Sequence, residues 1–151
     1  MRIMLLLAAL AVLLVSTAPA KVILNERVQL SGTIPNPCVT PPEIVTIEGE
    51  IHVVIEETVV AKKHRRWVTM NVHGKGVSNT GNEYIFNETH QEILVESDVP
   101  QPFISFEGQE WVRLVARGKT PNWRVLVRIR IYCDFVNPPV IEPLTETSDC
   151  Q

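Results

Sequence analysis

Two stretches of this chain alternate apolar and polar residues without a break, and they fix the class of fold open to it. Val45, Ile47, Gly49, Ile51, Val53 and Ile55 share one side of residues 43–60, with Thr46, Glu48, Glu50, His52 and Glu56 on the other. Trp123, Val125, Val127, Ile129, Ile131 and Cys133 are set in the same way against Arg124, Arg128, Arg130 and Asp134. Successive side chains of a strand point to opposite faces, so a period of two over such lengths predicts strands with one buried face. The first run is long enough that a bend or bulge is expected near Gly49.

The rest of the chain fits the same class. Residues 22–30 predict an edge-type strand, and residues 31–42 a Gly/Pro-rich connection whose four prolines exclude a helix or a central strand. Residues 61–66 read as a charged turn and 67–72 as a strand, after which Gly74, Gly76, Asn79 and Gly81 break up the pattern. Residues 83–97 read as strand with a confused phase at 88–91, which predicts a bulge or tight turn there. Residues 103–106 and 111–116 read as two pieces around Gly108. No helical stripe of useful length follows residue 20, so the fold class is all-β: an antiparallel meander of six to eight strands closing into a β-barrel, with a β-sandwich as the alternative.

The N-terminus carries a different signal. Arg2, the apolar run at 3–15 and the small residues ending in Ala18-Pro19-Ala20 predict a signal peptide over 1–20, cleaved after Ala20. A run of 13 apolar residues falls short of the roughly 20 needed to span a bilayer, so no stable membrane span is expected after cleavage. The expected division is a signal peptide at 1–20, an N-terminal strand and Pro-rich connection at 21–42, a β-barrel domain at 43–135 and a Pro-rich C-terminal tail at 136–151. Loss of the leader removes one cation and no acid, which moves the formal charge from −3 to −4 on a 131-residue chain. A mildly acidic domain argues against nucleic acid as a partner.

Export makes the three cysteines a disulfide question. Cys38 precedes the first long strand and Cys133 ends the last clear one, so a Cys38–Cys133 bond would tie the ends of the sheet together; pairing of either with Cys150 stays open from sequence. Under the preferred pairing Cys150 is a free thiol in the tail, or a link to another chain and a route to disulfide-linked self-association.

No motif for catalysis, cofactor or metal is present. Ser78 and Ser105 stand in no nucleophile context. His52 and His73 could approach Glu48 and Glu50 on an outer face, but zinc requires ligands within about 2.3 Å, and same-face strand neighbours are about 7 Å apart. The basic run Lys62-Lys63-His64-Arg65-Arg66, with Arg128 and Arg130 beyond it, fits an anion-binding patch or a charged hairpin tip. Asn87-Glu88-Thr89 is a candidate glycosylation acceptor at Asn87. Trp67, Trp111 and Trp123 are candidates for the rim of a ligand pocket, against the plainer reading of core packing.

The segments Asn-Pro-Cys at 36–38, IEGEIH at 47–52, VHGKGVSNTGNEY at 72–84, RLVARGKTPNW at 113–123 and Tyr-Cys-Asp at 132–134 together resemble an uncharacterised family of small secreted bacterial proteins. The resemblance spans residues 36–135 and implies an all-β chain with a cysteine near each end of the domain, which favours Cys38 with Cys133. It implies no activity, cofactor or partner. The chain departs from it at Asn79, where glycine is expected, in lacking a final hairpin, and in its added N-terminal segment and tail.

Together these features predict a secreted, extracellular or periplasmic, non-enzymatic β-barrel that binds a small apolar or carbohydrate ligand in its mouth. A structural component of the matrix or envelope is the alternative, and a barrel-type cyclase or hydrolase the second, which would need a polar cluster on an inward face read as almost wholly apolar.

Overall fold

The structure, a computed structural model, describes residues 19–97, 103–134, 136–137 and 140–150, so all but the last two residues of the leader predicted at 1–20 lie outside the described residues. Seven antiparallel strands follow one another: β1 (Lys21–Asn36), β2 (Glu43–Val60), β3 (Lys63–Ser78), β4 (Glu83–Ser97), β5 (Ile104–Ala116), β6 (Trp123–Cys133) and β7 (Val140–Cys150). They pair in sequence order into one sheet curled as a half-barrel, with no helix among the described residues. The all-β meander expected from the alternation is what forms.

Several boundaries differ from expectation. The charged turn at 61–66 shrinks to Ala61 and Lys62, both at positive φ, which matches the tight two-residue connections that join twisted antiparallel strands. The ladder runs through Gly49 with no register shift; Gly49 lies directly opposite Gly74 instead. A Cβ on Gly49 would collide with the His73 carbonyl, and one on Gly74 with the Glu48 carbonyl and the Phe86 ring, so the glycines permit a close approach rather than a bulge. The expected interruption of β4 at 88–91 is absent, and the one register shift between β3 and β4 falls at Arg66/Trp67. Gly108 does not divide β5. The tail predicted as extended is the seventh strand, hydrogen-bonded to β6 along its length.

The strand ends define two ends of the half-barrel. At the closed end lie the β1–β2, β3–β4 and β5–β6 connections and the last residue of β7; at the open end lie the other connections and the start of β1. Between them the inward residues, among them Val45, Val53, Ile55, Val68, Met70, Leu114, Val125 and Ile131, make one core.

The disulfide joins Cys38 to Cys150, and Cys133 is a free thiol, 2 % exposed. This corrects the expected Cys38–Cys133 bond for a geometric reason. Cys38 sits at the closed end, and β6 starts there, so its last residue lies ten residues away, about 33 Å at the rise of a strand. β7 then returns the chain to the closed end and delivers Cys150. Beside the bond, Ser148 Oγ donates to the Pro35 carbonyl at 3.1 Å. The seam between β1 and β7 is thus held by a covalent link and a side-chain hydrogen bond.

Candidate functional site

The predicted site residues do not come together. Trp123 is fully buried and meets Tyr84 edge to face at 6.1 Å. Trp67 and Trp111 sit on the outer face, out of phase with inward Val68 and Val112. Arg124, held by Asp149 at 2.5 Å, stacks over the Trp111 ring at 4.5 Å. The three tryptophans therefore form no common rim, which corrects that expectation. The interior is also nearly filled. Its apolar cavity, lined by Ile34, Ile47, Val72, Phe86, Leu114 and Val125 among others, measures about 60 Å³. Ligand pockets run from about 300 to 1,000 Å³.

Asn87 is exposed on the outer face of β4, and two residues on Thr89 Oγ1 donates to Asn71 Oδ1 at 2.8 Å. His52 contacts Asn25 at 2.7 Å, and His73 approaches Glu50 at 3.6 Å. Arg128 and Arg130 lie 4.0 and 3.3 Å from Glu107. Among the described residues no group of three His, Cys, Asp or Glu side chains could hold a metal. Cys150 is consumed by Cys38 within the chain, which removes the thiol on which disulfide-linked self-association was expected to rest.

Two polar clusters occupy the inward face, one at the closed end and one midway along β4 and β5. At the closed end Glu43, 1 % exposed, accepts hydrogen bonds from Asn36 Nδ2 at 3.0 Å, Thr80 Oγ1 at 2.6 Å, Asn82 Nδ2 at 2.9 Å and the Tyr84 hydroxyl. Burial pushes its pKa up, but the bonds from Thr80, Tyr84, Asn82 and Ser78 outweigh it and hold the carboxyl at about 2. The Tyr84 phenol is pushed well above its ordinary value, by burial first and then by the bond and charge of Glu43. A buried carboxylate saturated in this way is a structural tie: it gathers β1, β2, the β3–β4 turn and β4 around one charge.

The second cluster, midway along the strands, is different. β4 and β5 pair only through Tyr84↔Ala116 and Ile85↔Val115, after which the two strands part. Continued in register, that ladder would set His90 opposite Glu110. The strands do not pair there, yet His90 Nδ1 lies 2.6 Å from Glu110 Oε2, and its Nε2 lies 3.4 Å from Glu92 Oε2. Glu88 is half-buried in the same phase. Toward the open end, on the inward side of β2 and β3, Arg66 Nε donates to Glu57 Oε1 at 2.9 Å, and His64 Nδ1 lies 3.4 Å from the same oxygen.

The inward face is thus ionisable midway along β4 and β5 and again toward the open end, contrary to the expectation of an almost wholly apolar interior. It offers imidazoles, which can donate and accept hydrogen bonds, beside carboxylates, which accept them, where β4 and β5 part. The sequence signal was present: Tyr84, Phe86, Glu88, His90 and Glu92 keep one phase, and only their change from apolar to polar made the phase look confused.

Comparison with family models, with curated proteins and with solved structures found no match for the chain.

Proposed function

We propose that this chain is an exported, non-enzymatic binding module that takes a small polar ligand of the carbohydrate class in the gap where β4 and β5 part, midway along its half-barrel. The observation that carries the reading is His90 held between Glu92 and Glu110 on the inward face where β4 and β5 separate. Sugar hydroxyls both donate and accept hydrogen bonds; the carboxylates of Glu88, Glu92 and Glu110 supply acceptors, and the His90 imidazole can supply a donor. The same geometry disfavours an apolar ligand, since the apolar interior leaves only about 60 Å³. Export is supported by the leader-like N-terminus and by the intramolecular disulfide, which suits an oxidising compartment. The resemblance to small secreted bacterial proteins points the same way.

Screening the exported protein against a glycan array tests the reading. Binding that is lost in His90→Ala and in Glu110→Gln, with both variants retaining the wild-type melting temperature within a few degrees, is the expected result. A glycan bound equally by all three proteins, or no glycan bound at all, overturns it.

One observation favours a second reading. His90 Nδ1 is close to Glu110, at 2.6 Å, and Nε2 is more loosely placed, 3.4 Å from Glu92; an imidazole oriented by a carboxylate at one nitrogen can act as a general base at the other once that contact is displaced, so the hydrolase or cyclase alternative retains His90 as its candidate group. Turnover of a bound glycan that disappears in His90→Ala would move the assignment from binding to catalysis.

A further inference from the structure

The outer face of the closed end carries an apolar stripe. Ile44 on β2, Val77 on β3, Ile85 on β4 and Val115 on β5 alternate with inward Val45, Ser78, Tyr84 and Leu114, so all four point outward, and each is between 38 and 48 % exposed. The ladders set them side by side. Ile85 is directly opposite Val115 in the short ladder that joins β4 to β5. Val77 lies one diagonal step from Ile85 across β3 and β4, and Ile44 the same step from Val77 across β2 and β3. Diagonal neighbours on one face are within reach of each other. Soluble monomers scatter their exposed apolar side chains, and a contiguous row over four hydrogen-bonded strands marks a contact surface. Charges of opposite sign stand on the two sides of the row. Lys75 is directly opposite Ile85, on the side toward the middle of the strands, and Glu83 is directly opposite Val77, on the side toward the β3–β4 turn. Both are exposed, and each has an exposed ion-pair partner: Glu48 lies 3.7 Å from Lys75, and Arg117 3.1 Å from Glu83.

A row flanked in this way is its own complement. When a second copy is placed by a two-fold axis lying along the row, the apolar side chains meet their equivalents, and the same rotation brings Lys75 of each copy to Glu83 of the other. A partner selected by charge would require one sign in excess, whereas Lys75 and Arg117 here balance Glu48 and Glu83. We propose that the outer face of the closed end is the contact between two copies of this chain, an isologous dimer with Ile44, Val77, Ile85 and Val115 at its centre. The contact uses the outer face, and His90 lies on the inward one, so the dimer does not depend on what the gap between β4 and β5 holds.

Sedimentation velocity of the exported protein at about 1 to 500 µM tests it. A small contact of this kind predicts reversible dimers with a Kd on the order of 10 to 100 µM. Ile85→Ser with Val115→Ser should weaken association at least ten-fold. Lys75→Glu and Glu83→Lys should each weaken it about five-fold, and the two together should restore it to within about two-fold, because the axis places these residues against each other. Both charged side chains are exposed, so this reversal stays informative even where the serine variant fails to fold. Phe103→Ser with Tyr132→Ser, at exposed positions toward the other end, should change nothing. A monomer throughout the concentration range, a dimer indifferent to the serine variant in its folded form, or a double reversal no better than the single ones overturns the proposal.

Discussion

His90 and Glu110 face each other across β4 and β5 at 2.6 Å although no ladder joins the strands there. Beyond Ile85 the two strands are connected, among the described side chains, through this pair rather than through their backbones. Amides on the β5 side of β4 over residues 87–92 therefore have no ladder partner. Hydrogen exchange should find them unprotected, while amides of β2 over 45–55, paired on both sides, exchange roughly a hundred-fold slower or more. Equal protection of the two segments would mean that the strands are zipped in solution.

The closed end depends on an ionised carboxylate. The pKa of Glu43 in the folded chain, about 2, lies below its ordinary 4.5, so its contribution to stability is fully present above pH 4.5 and is lost as the pH falls toward 2. A displacement of this size corresponds to at most about 3 kcal/mol. Urea unfolding should show wild type losing that increment between pH 5 and 2. Glu43→Gln, less stable at pH 7 by about 2 to 3 kcal/mol, should be nearly flat over the same interval. Parallel pH profiles for the two proteins would remove Glu43 from this role.

The bond between Cys38 and Cys150 closes a loop with a sequence separation of 112. In the chain-entropy account its removal destabilises by on the order of 5 kcal/mol. Cys150→Ser should lower the melting temperature strongly and leave a monomer on non-reducing electrophoresis. Cys133 should resist alkylation until the protein unfolds. Peptide mapping that recovers a Cys38–Cys133 link would contradict the strand topology as well as the pairing.

Gly74 tests the close approach of β2 and β3. Its added Cβ would meet both the Glu48 carbonyl and the Phe86 ring, and the carbonyl cannot move without its strand. Gly74→Ala should therefore destabilise by about 2 kcal/mol or more, as overpacked sites do. Gly32→Ala, with open space around the position, serves as the control and should remain within about 0.5 kcal/mol of wild type.

Much of the fold was legible because the alternation in β2 and β6 leaves only one face to bury. The strand phase also contained the placement of two tryptophans: Trp67 alternates against Val68 and Met70, and Trp111 against Val112 and Leu114, so both had to point outward if those neighbours pointed in. Strand parity decides the disulfide, and residue-level alternation does not display it. Five strands run from Glu43 to Cys133, and an odd number of antiparallel strands begins and finishes at opposite ends. β7 was hidden by Pro138, Pro139 and Pro143, residues that suit a tail and that an edge strand also tolerates. The closed-end tie could not be read from sequence, because Asn36, Glu43, Thr80, Asn82 and Tyr84 meet only after the strands pair.

The central claim is that the gap between β4 and β5, and not another surface, receives a carbohydrate. A ¹⁵N correlation spectrum recorded while the array-selected glycan is titrated tests it most directly. The account predicts shifts concentrated at residues 88–92 and 108–112 and abolished in His90→Ala. Shifts centred on the closed end or on the outer face around Trp111, and unaffected by that substitution, would contradict it.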